Sequence, residues 1–142
     1  MKKVLIIEKQ AQMASVLQPV LEAAGLAVVV INPDEGLMDQ IRRAAIAVVL
    51  VNLEGLKKEG LTVLAAIRAF APKLAVITLN ASPNVELSIQ AMRMGVFDDL
   101  LMPLNVESLI ASIRRAMAIT DPNNAEPAAG PATISRTQGD PS

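Results

Sequence analysis

A chain of 142 residues, 52% hydrophobic and 19% charged, suffices for one globular domain and is short for two. Its 13 Lys+Arg and 14 Asp+Glu leave a net charge of −1, so no whole-chain field draws polyanions and nucleic acid is not an expected partner. The lack of Cys and His removes disulfides, thiol nucleophiles, Cys/His zinc sites, phosphohistidine carriage and imidazole acid–base chemistry.

Met1-Lys2-Lys3 starts like a signal peptide, but the apolar run Val4–Ile7 stops at Glu8 and no small-residue cleavage site follows. A cytoplasmic location is expected. The longest apolar run, Ala44–Val51, is too short to cross a hydrocarbon layer of about 30 Å as a helix, so no membrane partner is expected.

Runs rich in Val, Ile and Leu at Val4–Ile7, Leu26–Ile31, Ile46–Val51, Ala75–Leu79 and Phe97–Leu101 predict five strands. The first, third and fourth are largely apolar instead of alternating, which requires cover on both faces and therefore a parallel sheet with helical crossovers. The first helix carries Met13, Val16, Leu17, Val20, Leu21 and Ala24 as its apolar stripe and stops at Gly25, with a kink expected at Pro19. The second starts near Asn32-Pro33-Asp34, with acids early (Asp34, Glu35) and bases late (Arg42, Arg43) to suit the helix dipole. Leu61, Leu64 and Ile67 mark a third helix from about Gly60 to Phe70. A fourth opens with Ser82 and Pro83, buries Val85, Ile89 and Met92, and closes at Gly95. A fifth opens at Asn105 with Val106, Leu109, Ile110, Ile113 and Met117 inward.

The result is a (βα)5 pattern: a doubly wound, parallel, five-stranded α/β sheet of flavodoxin-like type in a single domain, residues 1–119. Residues 120–142 hold four of the nine prolines and one isolated Ile134, so a flexible Pro/Ala-rich tail is expected there, with no effector domain attached. Chemistry in such folds gathers at the carboxyl ends of the strands. The residues placed there are Glu8 and Lys9, Asn52, Asn80, and Met102-Pro103.

The order and spacing over residues 2–118 resemble the CheY-like receiver domain of bacterial response regulators. The stretch Met92-Arg93-Met94-Gly95-Val96-Phe97-Asp98-Asp99-Leu100-Leu101-Met102-Pro103 is similar to that family's Met-Arg-x-Gly-Ala-Phe-Asp-Tyr-Leu-x-Lys-Pro. The resemblance implies two acids after the first strand and an aspartate ending the third that together hold Mg²⁺, the aspartate taking a phosphoryl group from a histidine kinase. It further implies a Thr or Ser after the fourth strand and a Lys before the proline to bind the phosphoryl oxygens.

Each of these places differs here: Glu8-Lys9 for the acid pair, Asn52 for the acceptor, Asn80 for the hydroxyl, Met102 for the lysine and Asp99 for the aromatic switch. The proline survives, and the resemblance implies a cis Met102-Pro103 bond. An amide oxygen is a poor nucleophile toward phosphorus, so Asn52 supplies no acceptor. The family's −2 cluster becomes neutral, so Mg²⁺ is not an expected cofactor. Lys9 is a candidate for the metal's place, bridging Glu8, Asn52 and Glu54, the alternative being a lysine extended into water.

The expected function is therefore a stand-alone degenerate receiver, a pseudo-receiver acting as a phosphorylation-independent interaction module in signal transduction. The alternative is a two-component phosphorelay response regulator that keeps conventional or atypical phospho-dependent switching. No catalytic residue is indicated: the seven glycines form no phosphate-cradling loop, and Asp98-Asp99, as strand neighbours, point apart. The expected partner is a signalling protein or a second copy of the chain, through the fourth helix, last strand and fifth helix that the family uses for contacts. If Val85, Ile89 and Met92 face inward, Leu87 and Met94 form the outward contact face.

Overall fold

The computed structural model describes residues 3–10, 12–81 and 85–120. In chain order the elements are β1 (Lys3–Ile7), α1 (Gln12–Ala23), β2 (Ala27–Ile31), α2 (Leu37–Arg43), β3 (Ile46–Asn52), α3 (Leu53–Leu56), α4 (Lys58–Phe70), β4 (Ala75–Ala81), α5 (Val85–Arg93), β5 (Asp98–Met102) and α6 (Val106–Thr120). The strands form one parallel sheet in the order β2-β1-β3-β4-β5.

Because strand neighbours point to opposite faces, each apolar run supplies two cores at once. Leu5, Ile7, Val49, Val51 and Val76 meet Leu37, Leu53, Leu64, Ile67, Leu87 and Ala91 on one side. On the other, Val4, Ile6, Val48, Leu50, Ile77 and Leu79 meet Ala14, Leu17 and Leu21 of α1 and Leu109, Ile113 and Ala116 of α6. This two-sided burial is the reason the runs do not alternate. Strand order reverses between β1 and β3, so their carboxyl ends, at Glu8 and Asn52, flank a crevice that no crossover covers.

Helix ends follow their chemistry. Gly25 adopts φ +87°, and the Leu26 N–H donates to the Leu21 carbonyl at 3.0 Å, closing the last turn of α1. Pro19 lies inside α1, on its exposed side.

Several expectations are corrected. The second helix starts at Leu37, not near Pro33, because Asn32 organises a turn: its Oδ1 accepts from the Asp34 N–H, and its own N–H donates to Glu35 Oε1, both at 3.0 Å. The third helix is preceded by the short α3, from which it is separated by Lys57 at φ +54°. Val16, placed inward by the sequence, is 64% exposed, because Ala14, Leu17 and Leu21 carry the buried stripe. Val106 at the start of α6 is likewise exposed.

The largest correction concerns α5. Val85, Ile89 and Met92 are 60%, 47% and 56% exposed, whereas Leu87 is 5% exposed and Met94 packs, partly buried, against the same core. The contact face expected at Leu87 and Met94 is therefore interior. Leu87, Ala91 and Met94 repeat with the same spacing as Val85, Ile89 and Met92, and the small Ala91 lets the helix approach the sheet closely. The expected caps Ser82 and Pro83, and the expected tail beyond Thr120, lie outside the described residues.

Candidate functional site

Glu8 directly follows β1 and is 4% exposed. Burial of a carboxylate is costly unless its oxygens are hydrogen-bonded. Both are. Oε2 accepts the Ala14 N–H at 2.5 Å, and Oε1 accepts Asn52 Nδ2 at 3.0 Å. Ala14 lies in the first turn of α1, whose backbone N–H groups lack intrahelical partners. The first turn of α1 holds no acid of its own, so Glu8 supplies the negative charge that the helix dipole favours there.

Asn52 ends β3 and caps α3, its Oδ1 accepting the Gly55 N–H at 3.2 Å. Its amide thus uses a donor toward Glu8 and an acceptor toward Gly55. The orientation follows from the partners: a flipped amide would set oxygen against carboxylate oxygen and nitrogen against an N–H. An aspartate here could cap α3 but could not donate to Glu8.

Lys9 does not enter this pocket. Its Nζ lies 2.7 Å from Glu59 Oε1, on the exposed side of α4's first turn. The expectation that its ammonium bridges Glu8, Asn52 and Glu54 is corrected, since Glu59 offers a carboxylate at the surface, where the ammonium stays hydrated, whereas Glu8 is buried. The hydrogen bond with Glu59, and next its charge, raise Lys9 above the ordinary 10.5. A raised lysine contributes fully below its ordinary pKa, and the contribution disappears as pH rises through the folded value. Because the pair is exposed, Lys9→Ala is expected to leave the urea midpoint at pH 7 nearly unchanged and the Ala14 and Gly55 amide signals in place; chemical denaturation and NMR check this.

Asn80, near the end of β4, is fully buried and turns toward α5, where its Nδ2 donates to Ser88 Oγ at 3.0 Å. Met102 ends β5, and the Met102–Pro103 peptide bond is cis. Asp99 stands opposite Thr78 in the β4–β5 register and accepts its hydroxyl at 2.5 Å. Asp98 faces the other way: Oδ2 accepts the Ser112 hydroxyl at 2.9 Å and lies 3.6 Å from Arg115 Nη2. The two aspartates are therefore structural pins on opposite faces.

Of the five pocket residues expected from the sequence, Glu8, Lys9, Asn52 and Met102 border one groove of about 660 Å³ between α1 and the β5–α6 connection, while Asn80 is turned away. Lys9 contributes to the groove's edge, its ammonium held by Glu59. The walls come from Met13, Val16, Leu17, Pro103, Leu104 and Val106. The partners Glu59, Thr78 and Ser88 went unforeseen; only Thr78, facing Asp99 through parallel register, was legible in principle.

The family model of the response regulator receiver domain matches residues 4–114. The chain belongs to the response regulator receiver domain family. It is 27% identical over 123 residues to the transcriptional regulatory protein ZraR of Escherichia coli (strain K12), covering 87% of this chain and 28% of ZraR. The chain thus spans little more than a quarter of that relative. It is also similar to a response regulator receiver domain protein from Clostridium thermocellum, with a TM-score of 0.74 and 27% identity over 82% of this chain and 94% of that one. A CheY-like receiver domain protein from Methanospirillum hungatei JF-1, at 19% identity, shares the fold with a TM-score of 0.74 over 87% of this chain and 98% of that one. Among the described residues no helix of this receiver domain is long and apolar enough to cross a membrane.

Proposed function

We propose that this receiver domain is a degenerate one, a phosphorylation-independent module that acts in signal transduction by binding another protein. The observation that carries the reading is the Asn52–Glu8 hydrogen bond of 3.0 Å. At the place where the family's phosphoacceptor stands, a neutral amide donates to the adjacent acid, which leaves one carboxylate, too few oxygen ligands for Mg²⁺, and no nucleophile for phosphorus. Met102 adds no cation for a phosphoryl oxygen. The switch position points the same way, since Asp99 is held by the Thr78 hydroxyl of the neighbouring strand.

The binding surface is the exposed apolar set Val85, Ile89 and Met92 on α5 with Leu101 on β5, the last 52% exposed. The resemblance assigns dimers and targets to the helix–strand–helix region of α5, β5 and α6, and this set lies on the first two of these elements. The partner is a signalling protein or a second copy of the chain.

Two measurements test this. Acetyl phosphate with Mg²⁺, followed by intact mass, is expected to give no phosphorylated species; stoichiometric phosphorylation would overturn the reading. Ile89→Glu with Leu101→Glu is expected to abolish self-association or capture of the partner while circular dichroism stays unchanged. Undiminished binding by that folded variant would exclude this face.

A further inference from the structure

We propose that the groove at the carboxyl ends of β1 and β3 binds a small amphipathic cation, an ammonium or guanidinium carried on an apolar body. This goes beyond the interaction reading and does not depend on it. The groove's volume of about 660 Å³ is that of a small-molecule site, and it lies at the topological switch point of the sheet. Its lining divides into two chemistries. Met13, Val16, Leu17, Pro103, Leu104 and Val106 form an apolar wall, and Glu8 and Asn52 form a polar end.

Charge decides the sign of the ligand. Glu8 is almost wholly buried, and no cation lies within salt-bridge distance of it among the described residues. Lys9, the adjacent cation, is held by Glu59, while the residues at 52 and 102 are neutral. Each Glu8 oxygen accepts one hydrogen bond from the protein, and a carboxylate has about four acceptor sites. Capacity and charge therefore remain for a donor cation.

A bare metal does not suit these walls. Hard dications need several oxygen ligands, and no group of three metal-binding side chains occurs among the described residues. Aliphatic and thioether surface instead favours a hydrocarbon body, and Met13 and Met102 can adapt their shape to it. Glu54, also bordering the groove, reinforces rejection of anions.

The test titrates the ¹⁵N-labelled full chain with hexylammonium, 1-hexanol and hexanoate, reading the Ala14 and Gly55 amides that donate to Glu8 and Asn52. Hexylammonium is expected to give saturable shifts at both, with affinity about tenfold above hexanol, and hexanoate none. Glu8→Gln is expected to bring hexylammonium to within about twofold of hexanol, with the apolar contribution intact. Val16→Lys, at an exposed position, is expected to keep the fold and weaken hexylammonium about tenfold. No saturable shift in the unmodified chain, equal affinity for hexanol, or a charge preference surviving in Glu8→Gln would each overturn the proposal.

Discussion

Asn52→Asp is expected to destabilise the domain by about 2–4 kcal/mol at pH 7 and by far less at pH 4. The substitution removes the Nδ2 donor that lies 3.0 Å from Glu8 Oε1 and sets two carboxylates against each other in a buried crevice. Such a variant pair ionises only once and retains one shared proton, at a cost of about 1.4 kcal/mol for each pH unit above its unfolded titration. The sign follows from proton counting. Above the unfolded carboxylate range the folded variant binds one more proton than the unfolded chain, so its stability falls as pH rises. Urea unfolding of both chains from pH 4 to pH 8 measures this. Millimolar Mg²⁺ is expected to restore part of the variant's loss and to leave the parent chain unchanged, because only the variant has a surplus of carboxylate. A pH-independent difference would show that residues 8 and 52 do not share a site.

Leu87→Ala is expected to cost about 2–5 kcal/mol, and Ile89→Ala about 0.5 kcal/mol or less. The two positions lie on the same helix, two residues apart. Leu87 is 5% exposed and packs with Ala91 and Val96, so its truncation leaves a cavity beneath α5. Ile89 is 47% exposed, and removing its side chain uncovers little that was dry. Denaturant midpoints of the two variants decide the matter, and the reverse order would place α5 in the orientation expected from the sequence.

That reversal shows where a linear reading runs out. Val85, Ile89 and Met92 recur at helical spacing, as do Leu87, Ala91 and Met94, so periodicity established a helix with two apolar stripes and left its rotation open. The Asn80–Ser88 hydrogen bond and the small Ala91 are what turn the second stripe inward. The early start expected for α2 has a similar origin. Asp34 and Glu35 carry the charge suited to a helix start, yet Asn32 captures their neighbourhood as a turn, a competition between local hydrogen bonds that composition does not resolve.

Lys9 shows the same limit in the site. Its place beside Glu8 and Asn52 was legible, but its partner, Glu59, lies fifty residues along the chain at the start of another helix. A flexible side chain takes whichever carboxylate costs least desolvation, and the exposed Glu59 costs less than the buried Glu8.

The amino-acid sequence by itself determined the alternation of strands and helices, the parallel sheet and the chemical identity of the strand-end residues. Those properties are local: apolar runs too continuous for one-sided burial demand helices on both faces, and an amide at position 52 lacks a carboxylate's nucleophilicity wherever it points. Only the tertiary structure decided that Asn52 donates to Glu8, 44 residues away, that Lys9 leaves the pocket, and that α5 turns Ile89 outward. These outcomes are competitions among partners brought together by folding, and the winner is set by distance, burial and prior occupancy of each hydrogen-bonding group.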